Sequence, residues 1–156
     1  MLTWPHPGTD WARMMADAEQ VFLDIAKAVL RFEHLVISCE FVAGLQKLGQ
    51  ELNQYAEDNH LPGRVVAVPA PANDTWARDH GPITVTDADS ATLLDFSFNA
   101  WGGKFPWEKD NALNRHLANA GVFGKTPMQA VDFVLEGGSI ESDGQGTILA
   151  TSECLL

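Results

Sequence analysis

A short pattern that occurs twice constrains the fold of this chain more than any other feature. Asp79-x-Gly81-x-Ile83 recurs 57 residues later as Glu136-x-Gly138-x-Ile140. Each copy follows a helical pattern and then an apolar strand, and each leads into a predicted hairpin with an Asp-containing turn. Neighbouring copies of a repeated supersecondary unit bury each other's apolar faces. We therefore predict a repeated α/β unit that presents a carboxylate, Asp79 or Glu136, at an equivalent point each time.

Apolar periodicity places the other elements around these two copies. Residues at helical spacing between Trp11 and Leu30 predict one apolar face on a helix over about 10–32, with Thr9 or Asp10 as the N-cap. The remaining predictions are helices over 41–59 and 111–120, strands over 34–39, 64–68 and 131–135, a hairpin that pairs 83–86 with 92–98 through the turn 87–90, and a second hairpin through the turn 142–146.

The number of repeated units predicts an arrangement that does not close into a ring. Two copies and a leading helix–strand piece are too few to close a propeller. The chain starts abruptly and ends on two leucines directly after a predicted strand. We therefore expect a single incomplete domain over residues 1–156.

Composition excludes several classes of protein. Apolar residues make up 46% and charged residues 20%, which is typical of a globular chain, and the net charge of −11 would repel duplex nucleic acid. No apolar run approaches the ~20 residues that a membrane-spanning helix needs, and no signal peptide is visible, so a cytoplasmic protein is expected. The two cysteines are expected as thiols, and the five scattered histidines predict no metal site. Acidity suits a cationic substrate but also simple solubility.

The stretch WARDHGP, Trp76–Pro82, crowds four reactive side chains into five residues. Asp79 can be structural, accepting backbone N–H bonds or pairing with an arginine, or it can bind a cation. In an extended backbone Arg78 would point to the opposite side. Carboxylates from equivalent positions of neighbouring repeats converge on a common axis, so Asp79 and Glu136 are predicted to share one cavity.

The other side chains of this stretch have weaker roles. Trp76 either packs in the core or offers its face to a guanidinium or amine by cation–π attraction of ~0.5–2 kcal/mol. His80 lies one residue away from the Asp79 side, so a surface or backbone-bonded histidine is predicted. Cys154 has no persuasive histidine partner nearby and is interpreted as a small buried hydrophobe near a strand end. No phosphate loop and no GxSxG motif is present.

Two long motifs carry a resemblance to a known family. WARDHGP resembles the WxRDxGP motif of the agmatine deiminase and bacterial-type peptidylarginine deiminase family. EGGSIESDGQGTILATSECLL (136–156) is similar to its second signature, and TWPHPGTDW and FNAWGGK are similar to further family segments. The resemblance covers essentially the whole chain. It implies the pentein fold, five αβ repeats around a pseudo-fivefold axis, of which this chain would hold about two to three.

The resemblance also implies a reaction. In this family a cysteine attacks the guanidinium carbon, ammonia leaves, and water releases a ureido product, with a histidine as general acid/base and no metal or organic cofactor. By motif position, Asp79 would grip the guanidinium, Trp76 would line the substrate channel, and Glu136 would be the catalytic acid that orients the histidine. Bidentate carboxylates suit the planar guanidinium fork, and the thiolate is the attacking form of cysteine.

The departures from the family are equally informative. Family members are more than twice this length, and their His-x-Asp pair and Gly-x-His-Cys nucleophile have no match here. Cys154 belongs to the T-x-x-C-L-L ending and does not inherit the nucleophile's role. The chain is therefore expected to be the N-terminal half of a deiminase acting on agmatine, or alternatively on free or peptidyl arginine, and to be inactive alone. The expected partners are a cationic guanidinium compound, and either a second copy or the missing C-terminal half. The hypothesis from another class is a non-catalytic fragment that only self-associates.

Overall fold

The computed structural model describes residues 1–40, 42–87 and 90–155, and its chain divides into two compact units, Met1–Thr75 and Trp76–Leu156. The first unit is a parallel α/β layer. Its strand order is β1-β2-β3, with Leu2 opposite Ile37 and Leu35 opposite Val65. In chain order its elements are β1 (Leu2–Thr3), a 3₁₀ turn (Asp10–Met14), α1 (Met15–Leu30), β2 (Leu35–Cys39), α2 (Val42–Asp58) and β3 (Val65–Pro69).

The core of the first unit lies between its helices and the parallel sheet. Fully buried aliphatic side chains from both helices meet those of the central strand. They include Ala26, Leu30, Leu35, Ile37, Leu52 and Ala56. The buried β2 thus explains why HLVISC reads as a short β-branched run.

The predicted helix over 10–32 is confirmed in extent but differs in two details. Its first turn is 3₁₀, and Thr9 stands at the N-cap without capping, because its Oγ donates to the carbonyl of His6 at 2.7 Å. The single apolar face is wrong: Ala18, Ala26 and Leu30 are buried, whereas Val21 and Ile25 remain exposed. The helix therefore carries a second apolar surface that its own core does not use.

The second predicted helix is α2, within which Ala43 and Gly44 depart from helical geometry. The predicted start at Phe41 lies outside the described residues. Gly44 has a φ of +104°, a left-handed backbone that glycine adopts without a Cβ clash.

The second unit is a mixed sheet followed by a separate hairpin. Its strand order is β4-β5-β6, antiparallel between the first pair and parallel between the second, while β7 and β8 pair antiparallel. In chain order its elements are α3 (Ala77–His80), β4 (Ile83–Thr86), β5 (Ala91–Ser97), α4 (Ala100–Gly103), α5 (Glu108–Asn119), β6 (Met128–Val134), a 3₁₀ turn (Gly137–Ser139), β7 (Ile140–Ser142), β8 (Ile148–Ala150) and α6 (Ser152–Leu155).

The order of elements around the repeated pattern is confirmed. Asp79 follows α2 and β3 and precedes the β4–β5 hairpin, while Glu136 follows α5 and β6 and precedes the β7–β8 hairpin. Each acid lies in or next to a short helical turn that ends just before the first hairpin strand. Part of the first hairpin turn, residues 88 and 89, lies outside the described residues. No helix in the described part of the chain is long and apolar enough to cross a bilayer.

Candidate active site

The WARDHGP stretch forms a single turn of helix, not an extended segment. The carbonyl of Trp76 accepts hydrogen bonds from the N–H groups of Asp79 at 2.9 Å and His80 at 3.3 Å. In a helix, neighbouring side chains are separated by about 100° around the axis, so Arg78 and Asp79 do not lie on opposite sides. The prediction of an extended backbone at Arg78 is wrong, because residues 77–80 are helical. A turn of four residues is too short to give a periodic pattern in the sequence, so the sequence did not reveal it.

The two sequence motifs interlock in the second unit. The N–H of Gly138 donates to Oδ1 of Asp79 at 3.0 Å, and Nη2 of Arg78 donates to the carbonyl of Ile140 at 2.9 Å. The RD pair of the first motif thus binds the turn that follows the acid of the second. Of the two structural uses predicted for Asp79, the structure shows the acceptance of a backbone N–H bond, while Arg78 bonds a backbone carbonyl and not the Asp79 carboxylate.

Two glycines make this close approach feasible. A Cβ on Gly137 would overlap the carbonyl oxygen of Arg78, and a Cβ on Gly138 would overlap Oδ1 of Asp79. Neither glycine has a positive φ. Glycine is therefore required in EGG for space, not for an unusual backbone conformation.

Asp79 is half-buried and its electrostatics favour a cationic neighbour. Partial burial raises the pKa of its carboxyl above the ordinary value, while the Gly138 N–H bond and the charge of Arg78 act in the opposite direction. A carboxylate that has lost part of its hydration, with one oxygen held by a backbone amide, gains from a cation that can bond its other oxygen.

Glu136 stands at the start of the adjoining 3₁₀ turn. Its carbonyl accepts from the N–H of Ser139 at 2.9 Å and from the Ser139 hydroxyl at 2.7 Å. Its carboxylate makes no hydrogen bond or ion pair to any described residue, and its side chain does not cap the turn. The backbone of Glu136 is thus fixed beside Asp79's binding partner Gly138, and its acid group is uncommitted within the described chain.

Trp76 belongs to an aromatic cluster, which we define as Trp76, Phe98, Trp101 and Phe105, and in which Phe98 is buried while Trp76 and Phe105 are exposed. Trp76 is 43% exposed and meets Trp101 edge-on with ring centroids 6.2 Å apart. Trp101 in turn contacts Phe98 and Phe105, each at 5.8 Å. Trp76 therefore does not pack in the core, which was one of its two predicted roles.

The backbone beneath the aromatic cluster is unusual. Ala100 and Trp101 have φ values of +49° and +57°, a left-handed conformation that costs non-glycine residues free energy. The side chain of Asn99 accepts from the N–H of Gly102 at 2.9 Å and stabilises this turn. FNAWGGK thus forms a strained turn that presents Trp101 to Trp76, a role that was not predicted.

His80 contradicts its predicted surface or backbone-bonded position. Its side chain is 3% exposed, packs edge-on against Phe98 at 5.9 Å, and neither ring nitrogen has a described hydrogen-bond partner. Burial lowers the pKa of His80 to about 4, so the ring is neutral near pH 7. The prediction of a surface histidine assumed an extended backbone, whereas the helical turn 77–80 directs the His80 side chain into the interior of the second unit.

A buried polar layer behind this turn was missed by sequence reasoning. Nδ2 of Asn114 donates to the carbonyl of His80 at 2.9 Å and to Oδ1 of Asp95 at 2.8 Å. Arg115 pairs with the other oxygen of Asp95 at 3.1 Å. Asp110 is also buried, at 2% exposure. An aspartate inside the apolar strand TLLDFSF was the available signal, because a buried charge needs partners.

The two cysteines and the cavity of the first unit involve other residues. Cys39 is buried and Cys154 is exposed in α6, so the interpretation of Cys154 as a buried hydrophobe is wrong. A cavity of about 370 Å³ in the first unit is lined in part by Trp4, His6 and Cys39. None of the predicted site residues contributes to it.

These features define an α/β protein whose second unit holds a half-buried carboxylate, Asp79, three residues after an exposed tryptophan, Trp76. The sequence profile of the Porphyromonas-type peptidyl-arginine deiminase family matches residues 1–156. The chain belongs to this family, whose members are C–N hydrolases of pentein fold.

Individual relatives agree with this assignment. The chain is 34% identical over 161 residues to the agmatine deiminase of Pseudomonas aeruginosa strain LESB58, covering 99% of this chain and 41% of that protein. It is similar to a substrate-bound, cysteine-to-serine variant of C. jejuni agmatine deiminase, with a TM-score of 0.79, 32% identity, and coverage of 96% of this chain and 41% of that one. Enterococcus faecalis agmatine deiminase gives a TM-score of 0.74 at 29% identity, with coverage of 99% and 40%. The chain thus spans about two fifths of these relatives.

Proposed function

We propose that this chain is part of a deiminase that hydrolyses agmatine to N-carbamoylputrescine and ammonia. The observation that carries the proposal is the half-buried carboxylate of Asp79, held by Gly138 and lying three residues after the exposed Trp76. A carboxylate and an aromatic face are the two groups that bind a guanidinium most specifically, by charge-assisted hydrogen bonds and by cation–π attraction.

Each predicted site residue receives one role. Asp79 bonds the guanidinium with the oxygen that Gly138 leaves available, and Trp76 lines the path of the substrate. Glu136, whose carboxylate is uncommitted within the described residues, orients a catalytic histidine. The catalytic histidine that Glu136 would orient belongs to the family's His-x-Asp motif, which has no match in residues 1–156. The nucleophilic cysteine likewise lies outside this chain.

The organisation proposed with this function is an incomplete pentein domain over residues 1–156, holding about two to three of five repeats. The support is the recurring order of helix, strand, acid and hairpin. The proposed protein is cytoplasmic, uses no cofactor and binds no nucleic acid, in keeping with its net charge of −11.

Peptidyl or free arginine is the second substrate class. The family name itself refers to peptidyl-arginine, and arginine carries the same guanidinium that Asp79 and Trp76 are proposed to bind. Agmatine is placed first because the relatives compared above are agmatine deiminases. A folded fragment that only self-associates remains the proposal from another class.

A colorimetric assay for ureido products tests the catalytic part of the proposal. Residues 1–156 are incubated with agmatine, free arginine and a peptidyl arginine, and Cys154→Ser is assayed beside the unaltered chain. We expect no product from either protein, since the nucleophile is absent. Product formation that disappears in Cys154→Ser would contradict the proposal, because the exposed Cys154 would then be the nucleophile.

The same residues are tested for function by transplantation. Residues 1–156 replace the matching segment of the Pseudomonas aeruginosa agmatine deiminase, and agmatine hydrolysis is measured. We expect an active chimera in which Asp79→Asn raises KM and lowers kcat, since the guanidinium loses its charged partner. A folded, active chimera that is indifferent to Asp79→Asn would refute the proposed role of Asp79.

A further inference from the structure

Helix α5 bonds to the backbone beside both short turns that carry the proposed guanidinium-binding side chains. Nδ2 of Asn114 donates to the carbonyl of His80, the last residue of α3, at 2.9 Å. Three residues earlier in α5, Oδ1 of Asn111 accepts from the N–H of Phe98, two residues before α4, at 2.8 Å. Residues three apart lie on the same side of a helix. One side of α5 thus contacts the chain at α3 and at the start of α4.

Neither α3 nor α4 can fix its own position. Each is only four residues long, and an isolated turn of helix is unstable. His80 and Phe98 are both buried, and a buried backbone carbonyl or N–H needs a hydrogen-bond partner, which the two α5 amides supply. In contrast, α5 has 12 residues and is anchored by the fully buried Leu113 and Leu117. The longer helix is therefore the fixed element to which both turns are attached.

The surroundings of Asn114 require an amide nitrogen. Its Nδ2 donates to Oδ1 of Asp95 at 2.8 Å as well as to the His80 carbonyl, so both hydrogens of the amide are used. The other oxygen of Asp95 pairs with Arg115 at 3.1 Å, which fixes the direction of the carboxylate. Both partners of Asn114 are acceptors, and a carboxylate or a hydroxyl at position 114 could not donate to both. The side chain that holds α3 is thus specified by its chemistry and not only by its volume.

We propose that Asn114 and Asn111 are positioning residues for guanidinium binding. Asn114 fixes α3 and with it Asp79. Asn111 fixes the start of α4 and with it the edge-on contact of Trp101 with Trp76. Each acts through the backbone of a turn and not by contact with the substrate. The inference rests on the proposed function, and it matters for catalysis because a misplacement of about 1 Å can cost an enzyme about a hundredfold in rate.

NMR of the isolated chain tests whether each asparagine controls its own turn. Asn114→Leu removes both donors and should raise the hydrogen-exchange rate of the Gly138 amide about tenfold, because the bond from this amide to the carboxylate of α3 then opens more often. Asn111→Leu should instead shift the indole N–H resonance of Trp101 and leave the exchange of Gly138 within about twofold. The same response of Gly138 and Trp101 to both variants would overturn the proposal, since it would indicate a general loosening of the unit.

The chimera with the Pseudomonas aeruginosa enzyme tests the consequence for catalysis. Asn114→Leu is expected to lower kcat/KM for agmatine by about ten- to a hundredfold. Leu117→Ala is the control for stability, because it removes a fully buried side chain from the same helix without removing a hydrogen bond. It should lower the urea midpoint of unfolding and still leave kcat/KM within about twofold. Equal losses of kcat/KM in the two variants would mean that Asn114 is merely structural and would overturn the proposal.

Two variants of Asp95 keep the proposal testable where Asn114→Leu does not fold. Asp95→Leu removes the acceptor that orients the Asn114 amide and should reproduce the loss of kcat/KM, whereas Asp95→Asn keeps an acceptor oxygen and should stay within about threefold of the unaltered chimera. Equal activities of these two variants would overturn the proposal. A chimera indifferent to Asp79→Asn refutes the proposed function itself. Sensitivity to Asp79→Asn without sensitivity to Asn114→Leu or Asp95→Leu refutes only the positioning.

Discussion

Gly138→Ala is the sharpest test of how the two motifs fit together. A Cβ at this position would overlap Oδ1 of Asp79, so the carboxylate must rotate away and its 3.0 Å bond to the Gly138 N–H is lost. Hydrogen bonds to charged groups contribute about 1.5–3 kcal/mol. Asp79 is only half-buried, and water replaces part of the lost bond, so we expect the free energy of unfolding of the second unit to fall by about 1–2 kcal/mol.

Gly137→Ala should cost more, although the two glycines are adjacent. The Cβ there would overlap the backbone carbonyl of Arg78, which cannot rotate out of the way as a side chain can. Overpacking that forces the backbone to shift costs about 1–3 kcal/mol, and occasionally more, so a value at the upper end of this range is expected. The expected order of destabilisation is therefore Gly137→Ala above Gly138→Ala.

A double-mutant cycle with Asp79→Ala isolates the predicted contact. In the Asp79→Ala background no carboxylate opposes the new Cβ, so Gly138→Ala should cost at least about 1 kcal/mol less than in the unaltered chain. Gly144→Ala serves as the control: Gly144 has a φ of +68° and no neighbouring atom within 4 Å of its Cβ position, so its cost should be the same in both backgrounds.

The assay must report on the second unit alone. Urea unfolding followed by hydrogen exchange and mass spectrometry of peptides from residues 76–155 gives the stability of that unit directly. If Gly138→Ala costs the same in both backgrounds, to about 0.3 kcal/mol, the packing of EGG against Asp79 is refuted.

Three further predictions concern the same unit. The native pKa of His80 is about 4, whereas the unfolded histidine binds its proton near pH 6.5. The free energy of unfolding should therefore be at its full value above pH 6.5 and fall by up to about 3 kcal/mol as the pH drops to 4. His80→Phe should abolish this part of the pH dependence, as measured by urea unfolding. The pH dependence that Asp79 contributes has the opposite sign, because its raised pKa means that the charged carboxylate lowers the stability of the unit at pH 7. Asp79→Asn should therefore stabilise the unit at pH 7, and this gain should vanish as the pH falls below 3.8, the ordinary pKa of the carboxyl. A loss of stability at pH 7 would contradict this prediction. Phe98→Ala removes a side chain that is 2% exposed and contacts both His80 and Trp101, so it should cost about 3–5 kcal/mol and change the near-ultraviolet circular dichroism of the tryptophans, whereas Phe105→Ala, at a 55% exposed ring, should cost far less.

Elements with long apolar periodicity could be predicted from the sequence. The helix over 10–32 follows from a pattern that repeats over many residues, whereas the strands over 34–39 and 64–68 and both hairpins follow from short β-branched runs and turn signals. The structure has all of them within a few positions. The apolar face of α1 was misjudged because periodicity shows which residues share a face but not which face meets the core. Val21 and Ile25 fit the pattern and still lie exposed.

Features decided by distant contacts could not be predicted. The turn Ala77–His80 is four residues long and has no period, and the burial of His80 depends on Phe98 and on Asn114, which is 34 positions away. The repeated acid-x-Gly-x-Ile pattern predicts that Asp79 and Glu136 occupy equivalent points. It did not reveal that Asp79 bonds the glycine amide of the second copy across 59 positions.

The central claim is that Asp79 and Trp76 bind a guanidinium, and a ligand titration followed by NMR tests it most directly. Agmatine and putrescine, which share an aliphatic chain and an amine but differ in the guanidinium, are each added to the isolated chain. We predict that agmatine alone shifts the Asp79 carboxyl and the Trp76 indole N–H resonances, with weak affinity, and that Asp79→Asn abolishes the response. An equal response to putrescine, or agmatine binding that survives Asp79→Asn unchanged, would contradict the claim.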